Sequence, residues 1–199
     1  MPGAWFLGVL FQCLWEGNIM KEDMEYRWFA LRATYSRELK VQNSLNELGV
    51  RTFVPMMWRR REVGGQVEKK LVPAVSNLCF VYWTRSSVDS YIRSFGEKAP
   101  VNYYWDRTIN RPLVIPGQAM EDFITVASSL DEDLIYLTEI TEKLREGQTV
   151  EVIEGPFKGV TGRIVRIKKN RRVLVELPGF LAVTTNYLSP HALRLVEGK

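Results

Sequence analysis

Residues 145–167 constrain the fold of this chain more than any other segment. Residues 149–153 are almost entirely β-branched, which suits a pleated and half-buried strand. Gly155-Pro156 ends that strand, because glycine permits a positive φ while proline fixes φ and lacks an N–H donor. Phe157 follows in the turn, where we expect its apolar ring to fold back over a small core. The strand pattern resumes at residues 163–167, so the segment predicts two strands joined by a glycine-rich loop.

The rest of the C-terminal region continues this strand pattern. Further strands are predicted at residues 173–177, 181–185 and 193–196, with Pro178-Gly179 as one of the turns. Five short strands in about 50 residues predict a small SH3-like barrel, which closes its edges rather than exposing them. We assign this domain to residues 145–199.

Residues 25–127 alternate between strand and helix patterns. Gly64-Gly65 predicts a hairpin turn, Ser36 the N-cap of the first helix, and Ser86 or Ser87 that of the second. The predicted strands cover residues 27–32, 50–62, 66–72, 77–84 and 101–105, and the helices cover 37–48, a short segment ending at 95, and 118–127. This order predicts an α+β domain with helices packed on a mainly antiparallel sheet of four strands.

The charge of the chain is unevenly distributed. The net charge is +4, with residues 25–126 and 145–199 basic and residues 127–144 acidic. Two basic blocks with an acidic connector predict two modules that contact polyanions. We interpret residues 128–144 as a linker with a helical turn or two. We interpret residues 1–24 as a disordered leader, since their apolar stretch is shorter than the roughly 20 residues of a membrane span and lacks signal-peptide features.

The sequence offers little for catalysis. Cys13 and Cys79 fit neither a zinc site nor a disulfide framework, which favours a reducing cytoplasm, and His191 has no metal-binding companion. The paired carboxylates Asp131 and Asp133 are interpreted as a solvated face. Phosphate-loop, dinucleotide, metalloprotease and nucleophile-elbow motifs are absent from the sequence. We therefore expect a cytoplasmic protein that is not an enzyme, binds no metal or cofactor and does not enter a membrane.

Several sequence motifs indicate a family. The pattern V-x-V-x-x-G-P-F-x-G at 150–159 resembles the KOW motif of the NusG and ribosomal-protein families. W-F-A-L-R-A at 28–33, F-V-P at 53–55 and P-L-V-I-P at 112–116 resemble the N-terminal domain of NusG. One departure is the segment 72–81, which has extra residues and a leucine where that family usually has tyrosine. F-V-P-M and the basic W-R-R-R at 58–61 resemble specialised RfaH-type and, more closely, UpxY-type antiterminators of polysaccharide operons.

The resemblance implies that the first domain binds RNA polymerase across its cleft and suppresses pausing or termination. The matching positions are Tyr35, Phe53, Pro55, Leu78 and Phe80. For Phe53 and Leu78, burial in the core of the domain remains an alternative, because alternate residues of a strand point to opposite faces.

Three basic clusters are candidates for binding phosphates of non-template DNA or nascent RNA. They comprise Arg32, Arg37 and Lys40 near the first helix, Arg59, Arg60, Arg61, Lys69 and Lys70 in the hairpin, and Lys168, Lys169, Arg171 and Arg172 in the KOW domain. Opposed like charges cost about 0.2–1 kcal/mol per pair, so the hairpin favours an anionic partner. A hairpin or turn kept soluble by its charge is the alternative. A rim formed by Phe157, Phe180 and Leu181 is predicted to bind a ribosomal protein or termination factor.

Three alternatives stay open at this level. The chain could be a general NusG-type elongation factor, or a ribosome-associated KOW protein that binds RNA. It could also be a self-inhibited factor whose KOW module is helical until released, although Val150, Val152 and Pro156 favour a permanent barrel. A monomer is expected in each case.

Overall fold

A computed structural model describes residues 23–139, 141, 144, 147–167 and 169–196. Most of the predicted leader, and Lys168, lie outside these residues. The α-helices are α1 (Glu38–Glu47), α2 (Arg85–Ser94) and α3 (Gly117–Ala127). The N-terminal strands are β1 (Tyr26–Ala33), β2 (Arg51–Phe53), β3 (Met56–Val63), β4 (Gln66–Pro73), β5 (Leu78–Thr84), β6 (Val101–Tyr103), β7 (Trp105–Asp106), β8 (Arg111–Pro112) and β9 (Val114–Ile115). The remaining strands are β10 (Ile135–Leu137), β11 (Thr149–Val152), β12 (Thr161–Ile167), β13 (Asn170–Leu177), β14 (Leu181–Thr184) and β15 (Leu193–Leu195). None of the described helices is long and apolar enough to cross a membrane.

The N-terminal sheet confirms the predicted α+β fold. Its strand order is β2-β5-β1-β6, and β9 pairs with β1 as a fifth, antiparallel strand. Phe29, Leu31 and Val81 face one side and pack with residues of α1 and α2. Trp28 and Phe80 face the other side and pack with residues of α3. The two faces follow from the alternation of side chains along each strand.

The basic hairpin is a separate ribbon rather than part of this sheet. The strand predicted at 50–62 is broken at Val54-Pro55 into β2 and β3, because a proline cannot donate to the ladder of a sheet. β3 pairs only with β4 among the described strands, and Gly64 and Gly65 close the hairpin with φ of +59° and +78°. Both glycines supply the positive φ that a two-residue hairpin turn requires.

Two predicted helix caps are wrong. Ser36 has φ of +50°, and its N–H donates to Asn77 Oδ1 at 2.8 Å, so α1 begins without a side-chain cap. α2 is capped by Thr84, whose hydroxyl oxygen accepts from the N–H of Ser87 at 3.2 Å. The last residue of β5 thus supplies the cap and joins the strand directly to the helix.

The KOW region forms the predicted barrel-like sheet, with one strand that was not predicted. Its order is β10-β14-β13-β12-β11-β15. β10 lies inside the predicted linker and pairs antiparallel with β14, so residues 135–137 of that segment form a strand, whereas Leu144 of the same segment is helical. The strands across residues 149–195 also mean that the KOW module is not helical in this structure.

The two domains pack against each other. α3 contacts β1 of the N-terminal sheet and also β13 and β14 of the barrel. One continuous cluster of buried apolar side chains runs from Trp28 and Phe80 through Phe123 to Val175 and Val183. The hydrophobic core is therefore shared between the domains on the α3 side of the sheet.

Candidate binding surfaces

Three residues predicted to contact polymerase share one side of the N-terminal sheet. Phe53 and Phe80 are cross-strand neighbours in β2 and β5, and Leu78 lies two positions before Phe80. Phe123 of α3 packs edge-on against both rings, with centroids 6.3 Å from Phe53 and 6.0 Å from Phe80. Edge-to-face pairs in this range are favourable beyond the area they bury. We call the surface formed by Phe53, Leu78 and Phe80 the apolar face.

Phe180 of the barrel contacts the apolar face at Phe80. It lies in the turn between β13 and β14, and its ring meets Phe80 edge-on with centroids 6.2 Å apart. Tyr104 also packs edge-on against the Phe180 ring, with centroids 4.9 Å apart. Leu78 and Phe80 are both fully buried as a result of this packing and that of α3. The surface predicted for polymerase is thus in contact with a residue predicted to bind the second partner.

Tyr136 makes a second contact between the domains. Its ring lies in β10 and packs edge-on against Phe123, with centroids 6.3 Å apart. Its hydroxyl donates to the carbonyl oxygen of Met56 at the base of the hairpin, at 3.2 Å. Burial raises the pKa of Tyr136 to about 12, so the hydroxyl stays a donor at neutral pH. Tyr136 therefore joins the barrel to both α3 and the hairpin.

Asp122 of α3 makes a polar contact across the same interface. Its carboxylate accepts hydrogen bonds from Gln118 Nε2 at 3.1 Å and from the N–H of Thr161 in the barrel at 3.4 Å. Burial raises the pKa of this carboxyl, and the two hydrogen bonds oppose that shift. The interface thus combines aromatic packing with a bonded carboxylate.

Other predicted contact residues lie away from the apolar face. Tyr35, in the loop after β1, is 85% exposed, and the Arg37 guanidinium lies over its ring at 5.5 Å. Pro55 is buried at the break between β2 and β3. Phe157 and Leu181 are each 1% exposed and pack into the shared core. The predicted rim is therefore wrong for these two residues, whereas Phe180 packs against Phe80 and Tyr104 of the other domain.

The basic hairpin brings its cations together as predicted. Arg59 is opposite Lys70, and Arg60 is opposite Lys69, in the register of β3 and β4. Glu132 of the predicted linker binds two of them: its Oε2 accepts from Arg60 Nη2 at 3.0 Å, and its Oε1 accepts from Lys69 Nζ. These hydrogen bonds lower the pKa of the Glu132 carboxyl. The ammonium group of Lys69 also lies 4.6 Å from the ring centroid of Trp58.

The other two basic clusters differ in accessibility. The side chains predicted near the first helix are all exposed, namely Arg32, Arg37 and Lys40. Exposed side chains are also found at Lys169 in the KOW turn and at Arg61 in the hairpin. In the KOW domain Arg171 is half-buried and lies opposite Arg166 in the ladder of β12 and β13. Arg166 and Arg171 line an open cleft of about 540 Å³, and the sequence prediction missed Arg166.

Arg172 is not an exposed cation. It is 7% exposed, and its Nη1 donates to the carbonyl oxygen of Asp133 at 2.6 Å and to that of Thr185 at 2.8 Å. Sequence analysis grouped it with the phosphate-binding residues, and the structure contradicts that grouping because the guanidinium is used inside the protein. Arg172 fastens the segment before β10 to the barrel.

Replacing Arg172 by methionine is expected to lower the free energy of unfolding by about 2 kcal/mol, because two carbonyl groups at a buried site lose their donor. Arg171→Met is the matched control one residue earlier on the same strand, and a change within about 0.5 kcal/mol is expected there. Chemical denaturation of both variants measures the difference. Equal losses would contradict the assigned contacts of Arg172.

The functional residues that the sequence analysis missed make contacts between the two domains. Glu132, Tyr136 and Asp122 each act across the domain boundary, and two of them come from the stretch interpreted as a linker. Residues 134–137, Leu-Ile-Tyr-Leu, are four apolar residues in succession within that acidic segment, which is the pattern of a short strand. Among the described residues, no group of three or more histidine, cysteine, aspartate or glutamate side chains could hold a metal ion.

Comparison with known proteins finds a matching family model for each of the two domains. The family model "KOW motif" matches residues 146–176, and the family model "Transcription termination factor nusG" matches residues 26–123. Transcription elongation factor Spt5 of Methanocaldococcus jannaschii is 34% identical over 65 residues, which are 32% of this chain. The chain spans 40% of the length of that relative. A solved structure described as "Domain interaction in Thermotoga maritima NusG" is 17% identical, with a TM-score of 0.45 over 88% of this chain and 99% of that one.

An α+β domain followed by a KOW barrel, each matched by its own family model, defines a two-domain protein of the NusG/Spt5 class. Together the two matches span more than half of the 199 residues. The chain belongs to the NusG family.

Proposed function

We propose that this protein binds RNA polymerase through its apolar face and promotes elongation. The observation that carries the proposal is the composition of this face: Phe53, Leu78 and Phe80 form an apolar surface on a rigid sheet. The barrel, which contacts it through Phe180, is a separate domain of the chain. A surface of this kind suits an amphipathic helical hairpin laid into an apolar groove, such as the clamp helices of the polymerase. The exposed Tyr35 would extend the contact.

The proposed action is a shift of populations rather than a chemical step. A factor that binds the closed clamp better than the open one favours the closed state by its difference in affinity. The frequency of pausing and termination would fall as the population of the closed clamp rises. The exposed cations Arg32, Arg37 and Lys40 support contact with the displaced DNA strand of the transcription bubble, since phosphate contacts need accessible positive charge.

A specialised antiterminator of a capsular or exopolysaccharide operon is the proposed biological setting. The F-V-P-M segment and the W-R-R-R hairpin support this assignment, because they resemble UpxY-type factors. A general NusG-type elongation factor is the alternative. Either factor would act in the cytoplasm as a monomer.

Genome-wide occupancy on transcribed DNA separates these two settings. For the specialised factor, crosslinking of a tagged full-length chain is expected to enrich one or a few operons. RNA polymerase itself, mapped in the same cells, is the reference for normalisation. Occupancy that follows polymerase uniformly over all genes would establish the general factor instead.

A ribosome-associated RNA-binding protein is the second candidate, and the cleft beside Arg166 and Arg171 favours it. Two opposed cations at an open cleft suit an RNA backbone. Affinity purification of the tagged chain decides between the candidates. We expect RNA polymerase subunits among the captured proteins, and ribosomal subunits captured without polymerase would defeat the transcription proposal.

A further inference from the structure

Glu132 belongs structurally to the barrel, although it precedes β10. Asp131 Oδ2 accepts a hydrogen bond from Asn186 Nδ2 at 2.6 Å, and the carbonyl oxygen of Asp133 accepts one from Arg172 at 2.6 Å. Both neighbours of Glu132 are thus held by barrel residues. The ion pairs of Glu132 with Arg60 and Lys69 therefore connect the barrel to the hairpin of the other domain. We call these two ion pairs the Glu132 bridge.

The Glu132 bridge uses one of the two cross-strand pairs of cations on the hairpin. Arg60 and Lys69 are directly opposite each other, and the pair of Arg59 and Lys70 lies next to them. Like charges placed opposite each other on a sheet repel. One carboxylate that accepts from both Arg60 and Lys69 offsets this repulsion. A phosphodiester group carries the same charge and the same kind of acceptor oxygens, so it satisfies the same two donors.

We propose that Glu132 takes the place of a nucleic-acid phosphate on the hairpin, so that binding of a single-stranded nucleic acid breaks the Glu132 bridge and favours separation of the two domains. The Glu132 carboxylate and a phosphate cannot accept hydrogen bonds from the same N–H groups of Arg60 and Lys69 at the same time. Loss of the bridge leaves the barrel held by Phe180, Tyr136 and Asp122. Nucleic-acid binding and domain opening are then coupled, and the coupling acts equally in both directions.

The expected size of this coupling is modest. Both ion pairs are at the surface, where side-chain entropy and salt screening reduce their contribution. A change of about two- to fivefold in the ratio of closed to open forms is expected when the bridge is lost. The proposal rests on the proposed function only in that opening removes Phe180 from the apolar face. The bridge itself requires no polymerase.

The test compares the full-length chain with Glu132→Gln and Glu68→Gln. Glu68 lies on the same hairpin beside Lys69 and opposite Arg61, so its replacement changes the charge equally without touching the bridge. Binding of oligothymidylate and oligouridylate is measured by fluorescence anisotropy at about 50 mM salt. Hydrogen exchange of α3 is followed in the same samples as the measure of domain separation.

We expect Glu132→Gln to bind the oligonucleotide about two- to fivefold more tightly than Glu68→Gln. Oligonucleotide is expected to speed exchange in α3 of the wild-type chain, and α3 of Glu132→Gln is expected to exchange faster even without it. Whichever oligonucleotide shows the larger effect identifies DNA or RNA as the ligand. A failure of every variant to bind polymerase would defeat the proposed function and leave these results intact.

Three outcomes would overturn the proposal. The first is no binding of either oligonucleotide to the wild-type chain. The second is equal affinity of the two glutamine variants, which would make Glu132 an ordinary surface charge. The third is tighter binding by Glu132→Gln with unchanged exchange in α3, because competition would then occur without domain opening.

Discussion

Replacing Phe180 by alanine is expected to raise the apparent affinity of the full-length chain for RNA polymerase by about 10- to 100-fold. The Phe180 ring meets Phe80 at 6.2 Å and Tyr104 at 4.9 Å, and both contacts disappear in the variant. Truncating this half-buried aromatic side chain costs roughly 1.4–2.8 kcal/mol of domain contact, less than a fully buried phenylalanine would. The closed form, in which the barrel packs against the N-terminal domain, is then no longer the main population. Apparent affinity rises with the fraction of open molecules, up to the intrinsic affinity of the apolar face.

Biolayer interferometry with immobilised core polymerase measures this effect. Tyr187→Ala is the control, since Tyr187 is another aromatic residue of the barrel and is 58% exposed. Its affinity should equal that of the wild-type chain. An unchanged affinity of Phe180→Ala, in a variant whose α3 exchanges faster, would show that polymerase does not bind the apolar face.

Replacing Gly162 by alanine is expected to destabilise the barrel by about 3 kcal/mol. A Cβ at this position would lie 2.5 Å from the carbonyl oxygen of Leu174 and 2.6 Å from Val173 Cγ1. Gly162 lies in β12, which is paired on one side with β11 and on the other with β13. Neither neighbour can move away without breaking a ladder. The melting temperature of the barrel should therefore fall by more than about 10 °C.

Gly117→Ala provides the matched control for this prediction. Gly117 is the first residue of α3, and a Cβ there would meet no atom within 4 Å. Alanine at a helix position is neutral or slightly stabilising relative to glycine. Differential scanning calorimetry of both variants makes the comparison. A Gly162→Ala barrel as stable as the Gly117→Ala protein would contradict the tight packing of β12.

Local pattern carries most of what could be predicted of the fold. The β-branched runs of β11 and β13 and the turn at Gly64-Gly65 depend on neighbours in sequence, so periodicity and turn chemistry reveal them. β10 was not predicted, because the acidic residues on both sides of its short apolar run made the whole segment resemble a linker. Its strand conformation depends on pairing with β14, more than 40 residues away.

The candidate site was harder to predict because its main contacts join distant residues. The family resemblance placed Phe53 and Phe80 in one apolar patch, but nothing local indicates that Phe180 would contact it. Arg172 looks like its neighbour Arg171 in sequence. Its burial is decided by the carbonyl groups of Asp133 and Thr185, which only the folded chain brings together.

The pairing of β10 with β14 also determines how far the barrel can travel. While β10 stays on the barrel, the segment that connects the domains is residues 128–130, which reach about 10 Å when extended. Such a tether keeps the released barrel at an effective concentration on the order of millimolar near its docking site, so it returns quickly unless a partner intervenes. Unpairing β10, together with release of Asp131 and Asp133 from Asn186 and Arg172, would lengthen the tether to roughly 20 residues and a reach of about 60–70 Å. The ladder that joins Ile135–Leu137 to β14 thus sets the radius within which the barrel can capture a second protein.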